Sequence, residues 1–397
     1  MSTLTESVQR LWNRSFTLCL LNNFFLFSYY YALLTVLPIY ILKELGGTVQ
    51  EAGLALTLFL LSSITVRPFS GLIIQKIGKK YAMRGAGTLF ALFAFAYLLI
   101  DSMWSLLVIR FMHGIWFSIL TTVAVPVATD YIPEDRKGEG IGYFVMSTNL
   151  GLVFGPLLAL TVIQYASFTV LFAVLAAIIS IGLLFSWLLN IAEQRVSLSN
   201  TAAKFTIHDI LEVKVLAVSI VALLTACAYS SVMSFITAFA ESKDLLAYTS
   251  MFFIVFAVSM LVVRPWVGKL YDRKGASTVL YPCFIFFAIG LLIISLISNQ
   301  WVLWLSAVFI GIGYGSVFPC LQTLAIQSVE KARMGHAIST FFTLFDIGLA
   351  LGSVCMGILI AWWGFAITYQ ICAVLALVTL WVYRHFVVVK PLILDQN

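Results

Sequence analysis

The sequence predicts an all-α integral membrane protein of twelve transmembrane helices in two pseudo-symmetric six-helix bundles. Three observations lead there. The 397 residues are 62% hydrophobic and only 10% charged, with a mean hydropathy of +1.04. A water-soluble chain is nearer half apolar and a quarter charged, so no soluble fold of this length hides so much apolar surface behind so few charges. The apolar residues fall into roughly twelve runs of about twenty residues, the length of a membrane-crossing helix. Their continuity excludes a barrel, whose strands would alternate apolar with polar. Lastly, the chain repeats itself. Arg67, Pro68, Gly71 and Gly78 recur as Arg264, Pro265, Gly268 and Gly275, each displaced by 197 positions, which implies two similar halves.

Taken in order, the first-half spans lie near 16–41, 51–74, 84–100, 103–129, 140–164 and 168–190. Arg10 and Arg14 precede the first run, which is too long for a signal peptide and lacks a clear cleavage site, so it reads as a retained span. The second-half spans lie near 214–239, 247–269, 277–298, 301–326, 337–362 and 365–387. Between the halves runs a polar stretch with Glu193, Arg195, Ser197, Ser199, Asn200 and Lys204. The expected organisation is therefore a first bundle at 1–190, a cytoplasmic linker at 191–213 and a second bundle at 214–397.

Lys and Arg in short loops mark the cytoplasmic face. One face collects Arg10, Arg14, Lys76, Lys79, Lys80, Arg84, Arg136, Lys137, Arg195, Lys204, Lys269, Arg273, Lys274, Lys331, Arg333, Arg384 and Lys390. The other offers little beyond Lys43 and Lys243, each beside acids. Both termini and the linker are expected in the cytoplasm, with the chain in a cell (inner) membrane. The net charge of +6 is this topological signal and calls for no nucleic-acid partner. The six cysteines sit singly inside apolar runs, which suits small buried hydrophobes better than a metal or disulfide framework.

The 197-residue shift also pairs Glu44 with Glu241, Gly114 with Gly311, Arg136 with Arg333, Gly138 with Gly335, Phe144 with Phe341, Gly151 with Gly348 and Gly155 with Gly352. Six spans per half give both halves the same orientation. Parallel repeats of this kind are a secondary-transporter architecture with the substrate site between halves near the midplane. The loop after span two, Gly71-Leu-Ile-Ile-Gln-Lys-Ile-Gly-Lys-Lys80, is similar to a signature of the major facilitator superfamily, and with the repeat and the span count the whole chain resembles that family.

The resemblance implies a cytoplasmic gate at Arg67, Gly71, Gln75, Gly78, Lys79 and Asp130 in the first half, and at Arg264, Gly268, Asp272 and Gly275 in the second. The family signature has an acid where this chain has Gln75, whereas Asp272 is retained. A carboxylate there is favoured by the dipole and free N–H groups of a helix start, so the first-half latch is expected to be the weaker. Topology determination alone is the competing role for Lys76, Lys79 and Lys80.

Leu106-Leu-Val-Ile-Arg-Phe-Met-His-Gly114 resembles the family's fourth-span motif, whose arginine is tied to proton coupling. Arg110, His113, Gly114 and Phe117 share one helical face. Snorkelling to the headgroups is the bland alternative for Arg110, and simple packing the alternative for His113. Gly151-Leu-Val-Phe-Gly155-Pro156 is similar to the fifth-span pattern of the drug/proton antiporter branch, although its terminal glycine pair is here Ala159-Leu160.

Asp346 stands alone among the acids in mid-span, and its counterpart is Asn149. Ionisable groups inside a membrane are costly and mark function by default, so Asp346 is assigned with Arg110 and His113 to proton coupling. A structural hydrogen bond is its alternative. Asn22, Tyr29, Tyr30, Phe117, Asn149 and Phe342 are assigned to the substrate cavity, with lipid-facing packing as the alternative for the aromatics. With Arg110 and His113 inside and a single acid, a neutral, zwitterionic or partly anionic substrate fits at least as well as a cation.

The expected function is proton-coupled export of small organic molecules such as drugs by a secondary transporter. Export of a specific metabolite or metallophore is the nearest alternative, and proton-coupled uptake a more distant one. No phosphate loop, paired catalytic carboxylates or metal cluster stands in the sequence, so no enzyme activity, cofactor or metal is expected. The expected partners are a small-molecule substrate, protons and the lipid bilayer, with the chain as a monomer.

Overall fold

The computed structural model describes residues 10–192 and 211–389. Most of the expected linker, with Arg195 and Lys204, lies outside the described residues, as does Lys390. Eleven helices among those described are long and apolar enough to cross a membrane, and no strand occurs among them. They are α1 (Arg14–Lys43), α2 (Val49–Ile77), α3 (Lys79–Ala96), α4 (Met103–Thr129), α5 (Lys137–Tyr165) and α6 (Phe168–Leu188) in the first half. The second half has α7 (Leu216–Glu241), α8 (Thr249–Lys274), α9 (Ala276–Ser295), α10 (Gln300–Gln327) and α11 (Met334–Tyr383).

Local chemistry sets the helix ends. Asn13 Oδ1 accepts from Phe16 N at 2.8 Å to start α1. Thr48 and Glu51 form a reciprocal capping box at α2, and Asn299 Oδ1 accepts from Trp301 N and Val302 N at α10. Such caps satisfy amides that have no partner inside the helix. The two loop motifs end their helices in the same way. Gly78 separates α2 from α3 at φ 88°, and Gly275 separates α8 from α9 at φ 83°, a backbone region that residues with a Cβ enter at a cost.

The expectation of twelve spans is met in part. α1 to α10 match the expected spans, whereas the last two are joined in the 50-residue α11. That length is roughly twice what a bilayer requires. Gly364 breaks its helical backbone at φ 76°, ψ 174°, in the two-residue gap between the expected spans.

Within the first half α1 packs on α5 and α6, α2 on α4, and α3 on α4 and α6. In the second half α7 packs on α11, α8 on α10, and α9 on both α10 and α11. The halves meet where α2 crosses α11 and where α5 crosses α8, two crossings related by the 197-residue shift. Leu99, Trp104, Val258, Val262, Trp266, Trp362 and Trp363 are among many large apolar side chains left on the outside. Such an apolar exterior suits lipid.

Candidate functional site

At the centre of the α2–α11 crossing Arg67 meets Asp346. Arg67 Nε lies 2.6 Å from Asp346 Oδ2. Its terminal nitrogens donate to Thr121 Oγ1 at 3.3 Å and Ser63 Oγ at 3.4 Å. Its guanidinium carbon sits 5.1 Å from the centre of the Phe342 ring, and its carbonyl accepts from Ser339 Oγ. Arg67 is 5% exposed. A guanidinium buried that deeply requires a counter-charge, and the lone mid-span acid supplies it. The sequence placed Arg67 only at the gate. The signal for the pairing was available, since a cation ten residues inside a span needs an anion at similar depth.

Tyr30 stands within electrostatic reach of Arg67, Asp346 and Arg110. It stacks on Phe117 at 4.8 Å between ring centres and lies 5.4 Å from Phe59. Arg110 completes this aromatic box. Its guanidinium carbon is 4.3 Å from the centre of the Phe59 ring, and its Nε donates to Ala55 O at 3.3 Å. At 1% exposure Arg110 does not snorkel. Tyr31 reaches electrostatically to Tyr229 and Tyr314 of the second half, and those two rings stack at 3.6 Å. Tyr229 and Tyr314 were not singled out in the sequence, where nothing distinguishes them from lipid-facing aromatics.

Other expected site residues point elsewhere. His113 is fully buried, with Nε2 2.9 Å from Phe90 O and its ring packed on those of Phe90, Tyr29 and Tyr97. Asn22 donates to Gly182 O at 2.6 Å. His113, Tyr29 and Asn22 thus lie inside the first six helices. Asn149, in contrast, faces across to the second half, its Nδ2 3.1 Å from Met260 Sδ. Gly151 and Gly155 bring α5 against α1, where a Cβ would run into Phe27, Ser28 and Ala32; Pro156 follows inside α5.

The end of the molecule that carries the basic loops holds the tightest approaches between halves. A Cβ on Gly71 would fall 2.7 Å from His336 Cα, and one on Gly268 would fall 2.6 Å from Glu139 Cα. Side chains at these two positions would hold the helices apart. Asp272 accepts from Gly138 N at 2.7 Å and Glu139 N at 2.9 Å, placing a carboxylate on the start of α5. The Gln75 side chain makes no hydrogen bond among the described residues. It borders instead a cavity of about 40 Å³ with Gly71, Ile74, Gly78, Lys79, Lys331, Ala332 and Gly335. Lys79 pairs with Asp130 at 2.7 Å within the first half, and Lys331 reaches Glu134 across the halves at 3.2 Å.

Arg264, the counterpart of Arg67, is different. It is 3% exposed, and none of its three guanidinium nitrogens has a hydrogen-bond partner among the described residues.

The family model described as "Major Facilitator Superfamily" matches residues 19–353. The chain belongs to that superfamily. It is a multi-pass membrane protein and a transporter of the major facilitator class. It is similar to an uncharacterized MFS-type transporter of Methanocaldococcus jannaschii, 22% identical over 95% of this chain and 97% of that one. It is also similar to the multidrug resistance protein MdtG of Enterobacter lignolyticus, 23% identical over 92% and 90% respectively. Among solved major facilitator structures, the human organic anion transporter MFSD10 superposes with a TM-score of 0.80 at 14% identity, over 93% of this chain and 98% of that one. The Escherichia coli fucose:proton symporter FucP superposes with a TM-score of 0.76 at 17% identity, over 95% and 99%. At these identities the structures speak for the fold.

Proposed function

We propose that the protein exports small organic molecules, drugs among them, in exchange for protons, by alternating access across a bacterial-type inner membrane. On this reading both termini and the 191–213 linker are cytoplasmic, and the basic end is the cytoplasmic gate. Residues 1–190 and 214–397 are the two bundles that rock against each other, with the break at Gly364 dividing α11 into spans eleven and twelve. The inter-half hydrogen bonds and ion pairs described above lie at mid-depth or toward the basic end, so this conformation is the one closed to the cytoplasm.

The observation that carries the proposal is the Arg67–Asp346 pair, at 2.6 Å between helices of opposite halves. While charged, the carboxylate holds α2 to α11. A proton taken up from the outer side removes the attraction, and the crossing loosens toward a cytoplasm-open state. There the proton leaves and substrate loads. The Gly151–Gly155–Pro156 pattern and the MdtG relatives favour export. FucP, named as a symporter, keeps uptake as the competing direction, and a dedicated metabolite or metallophore is the competing cargo.

The test uses inside-out proteoliposomes with a pH-sensitive dye and a panel of drugs. Compound-induced proton release by the wild-type protein, absent in a folded Asp346→Asn variant, is the expected result. Undiminished proton movement in Asp346→Asn removes Asp346 from coupling. Proton movement in the same direction as the compound makes the protein a symporter.

A further inference from the structure

The three side chains that partner the Arg67 guanidinium each have a counterpart 197 positions away, and every counterpart is a poorer partner for a guanidinium: Asp346 becomes Asn149, Thr121 becomes Phe318 and Ser63 becomes Met260. Ser339, which donates to the Arg67 carbonyl, becomes Gly142. The correspondence is structural as well as sequential. Ser339 touches Arg67, and at the matching place a Cβ on Gly142 would stand 3.1 Å from Arg264 Cδ. Among the described residues, the titratable side chains within electrostatic reach of Arg264 are the thiols Cys283 and Cys320. Burying a cation without a partner is strongly unfavourable, and ionisable groups in a membrane that lack a structural partner mark ligand pathways. The second half has kept the arginine and shed its ligands.

Resting on the export reading, we infer that Arg264 takes the acidic head, a carboxylate or sulfonate, of an amphipathic organic anion that is the transported substrate. A guanidinium offers a planar fork that such oxyanions match bidentately. The apolar body has a surface prepared for it. Phe256, Met260 and Arg264 follow at four-residue steps along α8, and Tyr229 stacks on Phe256 at 6.3 Å and on Tyr314 at 3.6 Å. Pockets for small molecules combine just such an aromatic lining with one placed polar group. The site also has a door. Asn149 on Met260 closes it on one side, and two turns further along α8 the Asp272 contact with α5 closes it on the other. Parting α5 from α8 at the cytoplasmic end uncovers Arg264 to the compartment from which an exporter loads.

The experiment uses the full chain in phosphatidylcholine nanodiscs and three probes with one aromatic body: 2-naphthoate, 2-naphthalenemethanol and 2-naphthylmethylamine. Binding is read by thermal stabilisation and by ligand titration at fixed pH. The wild-type protein is expected to bind naphthoate about tenfold or more tighter than the alcohol, the size of a charge-assisted contact, and the amine most weakly. Arg264→Met should abolish the preference and Arg264→Lys should keep part of it. Asn149→Asp leaves Arg264 in place but restores the acid its twin has, and should abolish the preference in a protein at least as stable as the wild type. Binding is read at fixed pH with no proton gradient and no transport, so failure of the coupling assignment is distinguishable from failure of this one. Equal binding of the three probes by the wild-type protein, or a preference that survives both Arg264→Met and Asn149→Asp, overturns the inference. So does Arg264-dependent binding of phosphatidylglycerol, added to the nanodiscs, without any for naphthoate; the anion would then be a lipid headgroup.

Discussion

Arg67 and Asp346 stand 279 positions apart in sequence and 2.6 Å apart in space, joining α2 to α11. Removing one member of a buried pair leaves the other uncompensated, at about 3–5 kcal/mol, whereas removing both is far milder. Arg67→Met is therefore expected to lower the thermal unfolding midpoint clearly, and Arg67→Met combined with Asp346→Asn to recover most of the loss. A double variant as unstable as the single one would deny the two residues a shared energy.

Asp272 and Gln75 occupy equivalent turns with unequal contacts. Asp272→Asn retains an acceptor but loses the charge facing the start of α5, a difference of about 1–2 kcal/mol from charge-assisted bonding and the helix dipole. Transport should fall several-fold in Asp272→Asn and stay close to wild type in Gln75→Ala. Equal losses in the two variants would remove the asymmetry.

Gly268 sets how closely α8 approaches α5. Gly268→Val would drive a branched side chain into Glu139, so the end that carries the basic loops should remain open. Cysteines introduced at exposed sites near that end, labelled with a membrane-impermeant reagent, should react faster in this background than in the wild type. Unchanged labelling would mean that the crossing adapts.

His113 is held by packing and by Phe90 O. His113→Gln preserves a donor for that carbonyl, so the pH profile of transport should be unchanged while stability drops by about 1–2 kcal/mol from lost ring packing. A displaced pH profile would return His113 to the proton path.

Gly364→Ala places a Cβ at φ 76°, ψ 174°, a region essentially reserved for glycine, at a cost of roughly 1–3 kcal/mol. Thermal unfolding should register that loss, and an unaffected midpoint would show that the backbone there relaxes to negative φ.

Much of the fold was legible because the bilayer imposes its thickness on every span. The expected gap at 363–364 fell on Gly364, and the recurring Gly78 and Gly275 turned out to carry matching backbone breaks. The candidate site was legible in part. Asp346 stood out as an acid in an apolar run, yet its partner was assigned to the gate because contact across the repeat is not written in local spacing. Asn22, Tyr29 and Tyr30 sit close together on α1, and of the three Tyr30 is the one within reach of the Arg67–Asp346 pair. Spans apolar on every side give no stripe by which to sort such neighbours.

The partners of Asp272 are main-chain amides. Every residue except proline carries one, so substitution in the first turn of α5 rarely deletes the acceptor's targets, and no compensating change is required in step with Asp272. Searches for residues that change together across relatives would pass over this contact. The place to look for its trace is the spacing of the two glycines, Gly138 and Gly268, that let helices α5 and α8 come within bonding distance.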